Sequence, residues 1–265
     1  MWICEVVLQT IKLHNAEPQE LGCSGCRDND DNQFDLSFAF QPIVRASTRE
    51  VVSYEALARG PEGQGFAYVR DQINNDNLYN FDQTCRVRAI ELATKLNIKV
   101  ALNINFTPNA VYRPELCIRT TLAAAREFGF PAEKIHFEVT ESEEVREKMH
   151  LVNIFETYKK LGFTTVIDDF GAGFSGLNLL AEFQPDYIKI DRVLIDYVDQ
   201  RPARQAIIQG VVLTCRKLNI DVLAEGVERE EEYRWLAGEG IDLFQGYYFA
   251  YPGFETLPEV PDDLF

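Results

Sequence analysis

Thr165-Val166-Ile167-Asp168-Asp169-Phe170-Gly171-Ala172-Gly173-Phe174-Ser175-Gly176-Leu177 contains one structural unit of the chain in miniature. A β-branched, apolar run delivers two adjacent carboxylates into a glycine-rich loop, and helical periodicity follows over 176–183. The order strand, loop, helix is one βα unit. Gly171, Gly173 and Gly176 let the loop take dihedrals closed to other residues and move over a ligand. Ordinary strand-to-helix turns use glycine too, so the glycines alone mark no site. The acidic pair says more, because adjacent carboxylates can flank two cations about 3.5–4 Å apart.

Outward from this segment the same rhythm repeats. Strands are expected at 38–44, 51–58, 99–105, 134–139, 164–168, 187–190, 221–224 and 243–247. Helices are expected at 82–96, 114–128, 145–161, 176–183, 202–218 and 229–237, with Gly129, Gly162 and Gly238 as stop signals just past three of them. Eight strands alternating with helices predict an α/β fold, a (β/α)8 TIM-like barrel. Only 45–50 separates the first two strands, too short for a crossover helix, so one antiparallel strand near the start is expected. Residues 1–36 read as an N-terminal appendage and 37–265 as a single barrel domain.

With 46% hydrophobic and 12% aromatic residues the chain can bury a sizeable core. Its formal charge of −16, from 42 Asp and Glu against 26 Lys and Arg, disfavours binding of a nucleic-acid polymer. A small phosphate-bearing ligand remains open if cations screen the acids. No run of about 18 apolar residues is present. The opening Met1-Trp2-Ile3-Cys4-Glu5 lacks the basic flank of a signal peptide, so a cytoplasmic location is expected. Six scattered cysteines would stay thiols there. Cys23 and Cys26 have the spacing of half a zinc site or a redox pair, but His14 is the only nearby histidine and no second cysteine pair follows. A plain turn is the alternative.

Polar residues recur near the ends of the expected strands: Glu55, Asn105, Glu138, Asp168 with Asp169, Lys189, Glu225 and Gln245. In a barrel these ends converge on one mouth, where active sites are built. Any one of them alone could be a loop residue. Five are carboxylates and none is His or Cys, which favours hard cations such as Mg²⁺ or Mn²⁺ over Zn²⁺. Lys189 alternates inward on its strand, where a cation can orient water or stabilise developing charge. Its other reading is a structural ion pair with Asp191 or with one of the acids.

From Phe38 to Pro252 the chain resembles the EAL-domain family of cyclic di-GMP phosphodiesterases. The resemblance is carried by Phe40-Gln41-Pro42-Ile43, Glu55-Ala56-Leu57-Ala58-Arg59, Asn103-Ile104-Asn105, Glu138-Val139-Thr140-Glu141, Asp168-Asp169-Phe170-Gly171, Lys189-Ile190-Asp191, Ala224-Glu225-Gly226-Val227-Glu228 and Gln245-Gly246-Tyr247. It implies hydrolysis of cyclic di-GMP to linear pGpG by a water activated by two metal ions, Mg²⁺ or Mn²⁺. Glu55, Asn105, Glu138 and Asp168 would hold one ion, and Asp168, Asp169 and Glu225 the other. Lys189 would hold the attacking water, while Gln41, Leu57, Arg59 and Gln245 would contact the substrate. Glu141 would pin the loop after Asp169, and a homodimer is expected. Two departures, Phe174-Ser175-Gly176-Leu177 in the loop and Phe106-Thr107-Pro108 after Asn105, leave every expected ligand in place. The rivals are an EAL domain that serves as a cyclic di-GMP receptor or protein-interaction module, and an unrelated barrel metal-hydrolase.

Overall fold

A computed structural model of the chain describes residues 34–140, 148–173 and 176–265. The appendage with Cys23 and Cys26, Glu141, and Phe174 with Ser175 lie outside the described residues.

Eight strands close a barrel: β1 (Ser37–Arg45), β2 (Glu50–Arg59), β3 (Ala101–Asn105), β4 (Ile135–Thr140), β5 (Thr164–Phe170), β6 (Tyr187–Ile190), β7 (Asp221–Ala224) and β8 (Leu243–Phe244). From β2 to β8 all neighbours are parallel. β1 is antiparallel to both β2 and β8, which places the expected reversed strand at the closure. On β1, β8 reaches only Val44 and Arg45, and a short β9 (Gly253–Phe254) takes up the same edge at Ala39 and Phe40. An open stretch of backbone N–H and C=O is thereby satisfied.

Around the barrel run α1 (Phe66–Arg70), α2 (Leu78–Lys95), α3 (Pro114–Phe128), α4 (Lys148–Lys160), α5 (Gly176–Glu182), α6 (Arg192–Ile195), α7 (Pro202–Leu218) and α8 (Glu230–Gly238). Several boundaries differ from expectation. β3 starts at Ala101, not 99, and α2 starts at Leu78, four residues early, because buried Phe81 joins the core and packs edge-on against Phe34. β8 holds only Leu243 and Phe244 rather than the expected 243–247, although Gln245 N still donates to Ala224 O of β7 at 2.9 Å. Gly129 ends α3 in the left-handed conformation as expected. Gly238 instead closes α8 from inside it, and the left-handed residue is Gly240. No helix of the described residues is long and apolar enough to cross a membrane.

The main apolar core lies between sheet and helices. A second, separate cluster comprises Ile43, Val166, Tyr187, Leu223 and Leu243. Each stands two positions from a polar candidate on the same strand face: Gln41, Asp168, Lys189, Glu225 and Gln245. The barrel interior is therefore layered, with a buried apolar plug beneath a polar mouth. Each aliphatic plug side chain contributes about 1.5–3 kcal/mol by its burial.

Candidate active site

Strand alternation alone would send Asp168 and Asp169 to opposite faces of β5. The structure brings both to the mouth through a break in regular pairing: the β5–β6 register shifts between Ile167 and Phe170, and Asp169 adopts φ 54°. Aspartate tolerates this left-handed conformation better than most side chains. The Asp169 amide then donates to Asp168 Oδ1 at 3.0 Å.

Two carboxylate triads result. Oxygens of Glu55, Glu138 and Asp168 lie within 4.8 Å of one another, and so do those of Asp168, Asp169 and Glu225, with Asp168 common to both. Glu55 sits mid-strand rather than at the end of β2, because β2 runs on to Arg59. Asn105 joins the first triad by donating from Nδ2 to Glu55 Oε1 at 3.0 Å. Gln245 donates to Glu55 Oε2 at 2.7 Å and approaches Gln41 Oε1 at 3.3 Å. Gln245 is itself buried, and Gln41 donates to the Ala250 carbonyl.

Lys189 is wholly enclosed, and its Nζ lies 2.8 Å from Glu55, 3.0 Å from Glu225, 3.1 Å from Asp168 and 3.2 Å from Glu138. Its partners are thus the site acids. Asp191 instead caps α6, accepting from Val193 N at 2.7 Å. Burial would lower the Lys189 pKa, but Asp168, Glu138, Glu225 and Glu55 together push it well above the ordinary lysine value. Burial holds Glu138 well above the usual carboxylate range against the pull of Lys189. It does the same to Glu225, helped by the charges of Asp168 and Glu55. At Asp168 burial also pushes upward, but Lys189 and the hydrogen bonds it accepts outweigh burial, and its pKa falls. Asp169 is raised to about 6 by burial and by the charges of Asp168 and Asp191.

Four carboxylates around one ammonium, with Asp169 beside them, crowd more acid than Lys189 can neutralise into a largely buried site. Hard divalent cations match this all-oxygen donor set and would relieve the charge. The residues present therefore fit two such ions.

Next to the cluster opens a cavity of about 500 Å³. Glu55, Asn105, Asp168 and Glu225 of the cluster line it together with Leu57 and Arg59, and its lining also includes the aromatic rings of Phe38, Phe66, Phe81 and Phe106. Arg59, half-buried and with its pKa lowered by that burial, is the cation on the cavity rim. The approach of Gln245 is fixed by backbone: a Cβ on Gly246 would stand 2.0 Å from the Val227 carbonyl oxygen, so only glycine fits. Val227 N in turn donates to Gln245 O at 3.1 Å, joining the loop after Glu225 to the loop after β8.

Two supporting groups escaped the sequence reading. Asn103, two positions before Asn105 on the same face of β3, is fully buried against Glu138 and Tyr187. Its signal was there, a second amide in an apolar strand. Asp82 accepts from Thr107 N at 2.9 Å, pairs with Arg86 at 2.8 Å, and thereby holds the turn that follows Asn105. Arg86 is fully buried, donates to Tyr158 OH at 3.0 Å and lies 5.1 Å over the Phe137 ring.

Residues 29–252 match the EAL domain family. A standalone EAL protein from Vibrio cholerae O395, solved with cyclic di-GMP bound, is 51% identical; the match covers 88% of this chain and 99% of that one, with a TM-score of 0.85. BlrP1 of Klebsiella pneumoniae, solved with manganese and cyclic di-GMP, is 35% identical over 88% of this chain and 59% of its own, with a TM-score of 0.78. The blue light- and temperature-regulated antirepressor BluF of Escherichia coli is 34% identical over 224 residues, which is 84% of this chain and 56% of BluF. The cyclic di-GMP phosphodiesterase PdeR of the same organism is 32% identical over 157 residues, 59% of this chain and 23% of PdeR. The chain thus spans about half or less of these two curated relatives.

Proposed function

The chain belongs to the EAL domain family, and from that premise we propose that it hydrolyses cyclic di-GMP to linear pGpG. The observation that carries this reading is the pair of carboxylate triads sharing Asp168, with Lys189 enclosed among four of their five acids. The manganese and cyclic di-GMP in the BlrP1 structure support it.

Glu55, Asn105, Glu138 and Asp168 would hold one divalent ion, Mg²⁺ or Mn²⁺, and Asp168, Asp169 and Glu225 a second; such ions supply Lewis acidity and lower the pKa of water. Lys189 presents a fixed ammonium at the centre of the acids; its N–H groups, given to those carboxylates here, would be free to hold the attacking water once cations take up the carboxylate oxygens. Gln245 and Asn105 lock both oxygens of Glu55, so this carboxylate needs no reorganisation during the reaction. Arg59 on the rim can pair with a non-bridging phosphate oxygen as negative charge grows there. The aromatic rings of the cavity lining offer an apolar surface to a guanine base and limit access of bulk water. Water oxygen bonds to phosphorus, the P–O3′ bond breaks, and the 3′-oxygen leaves with a proton, so the product keeps a 5′-phosphate. No covalent enzyme intermediate is required, and the buried thiols of Cys85, Cys117 and Cys215 take no part.

The antirepressor name of BluF favours a second reading, in which the domain binds the dinucleotide and signals without cleaving it. One experiment separates them. Purified protein is incubated with cyclic di-GMP and Mn²⁺ or Mg²⁺, beside a chelated sample and a Glu55→Ala variant, and products are separated chromatographically. Metal-dependent pGpG that disappears in both controls supports hydrolysis, and intact dinucleotide in every sample refutes it.

A further inference from the structure

We propose that Asn103, braced by Tyr187 and His136, is the positioning residue that holds Glu138 in its metal-binding orientation; this rests on the reading of the site as a metal centre. Asn103 is fully buried in the middle of β3, and a single atom, Nδ2, contacts both Glu138 Oε1 and the Tyr187 hydroxyl. Against an ionised Glu138, the form that binds a metal, the facing atom must be the amide nitrogen, because Oδ1 turned there would place acceptor against acceptor. Tyr187 therefore accepts from Asn103, and its own proton needs another acceptor. His136 Nδ1, 3.3 Å away, provides one when the imidazole proton sits on Nε2. Donation then runs in one direction, with Asn103 giving to both Glu138 and Tyr187 and Tyr187 giving to His136.

The consequence falls on Glu138. Oε1 is tied from below by Asn103 while Oε2 faces Lys189 at 3.2 Å, so the carboxylate cannot rotate in its socket. Asn103 Oδ1, meanwhile, is buried with no hydrogen-bond partner. An unpaired acceptor is a cost that an apolar residue of the same shape would avoid. Its presence beside the apolar plug points to what the amide nitrogen does for Glu138. Partners that orient metal ligands commonly change metal affinity by about 10–100-fold when removed.

The test measures Mn²⁺ affinity of the full chain by titration calorimetry, alongside metal-free melting, for wild type, Asn103→Leu and Tyr187→Phe. Asn103→Leu should weaken Mn²⁺ binding by about 10–100-fold, and Tyr187→Phe by a smaller factor because the amide keeps its bond to Glu138 but loses its brace. A merely structural role would move the melting temperature and leave the affinity alone, so wild-type affinity in both variants overturns the proposal whatever their stability. If Asn103→Leu does not fold, Tyr187→Phe decides: weaker Mn²⁺ binding supports the proposal and unchanged binding refutes it. A wild-type chain that binds no Mn²⁺ overturns the metal reading, and this proposal with it.

Discussion

Replacing Lys189 by Met removes the one ammonium that four carboxylates, three of them buried, share at 2.8–3.2 Å. The methionine fills similar volume, so the loss is electrostatic rather than a cavity. Removing one partner from a buried ion pair costs about 3–5 kcal/mol, because the charges left behind stay desolvated. For a chain of this size each kcal/mol lowers the melting temperature by roughly 2–4 °C, so metal-free Lys189→Met should melt roughly 6–20 °C below wild type. Divalent ions shrink the deficit, since without the ammonium the acids bind a cation more tightly than in wild type, and each tenfold gain in affinity adds about 1.4 kcal/mol to the variant alone. Calorimetric or fluorescence melting of both proteins, chelated and then in saturating Mn²⁺, checks this. The reasoning fails if chelated Lys189→Met melts within about 2 °C of wild type, or if Mn²⁺ raises the variant no more than the wild type.

Further outcomes follow from groups outside the acid cluster. Asp82→Asn leaves Arg86 buried without its counter-ion and should cost about 3–5 kcal/mol in denaturant unfolding, whereas the double replacement Asp82→Leu with Arg86→Met should recover most of that loss; equal losses in both would refute the pairing as the cause. Burial raises the Cys215 thiol from 9.0 to about 11. Above pH 9 the unfolded chain is then thiolate while the folded chain must hold the proton, so stability falls as pH rises from about 9 to 11, by roughly 2 kcal/mol. Cys215→Ala should flatten that stretch of the profile, and an unchanged slope would contradict the assignment.

The barrel was legible because its two periods differ so sharply. Apolar runs of four to eight residues set against helices ending in glycine give β-strands and helices directly, and the six-residue gap at 45–50 gives the reversed strand. The acids were legible by type and by their place in each unit. Their geometry was not: Asp168 and Asp169 share a face only because the β5–β6 register slips and Asp169 turns left-handed, and no local pattern announces either. Asn103 stood in the motif beside Asn105, but its role was hidden because a second amide in an apolar strand reads as incidental until its neighbours on β4 and β6 are known. Asp82 and Arg86, four apart on α2, look like a solvent-facing ion pair in sequence, yet both are buried beneath the turn after Asn105. Long-range pairing decides such positions, and sequence spacing carries no trace of it.

The most direct test titrates Mn²⁺ into the chelated chain and records, at each concentration, ions bound per chain and the rate of pGpG release from cyclic di-GMP. Two triads sharing Asp168 predict two ions per chain, with hydrolysis appearing as the second site fills. Hydrolysis that persists in the chelated protein, or cyclic di-GMP that stays intact with both sites filled, would contradict the account.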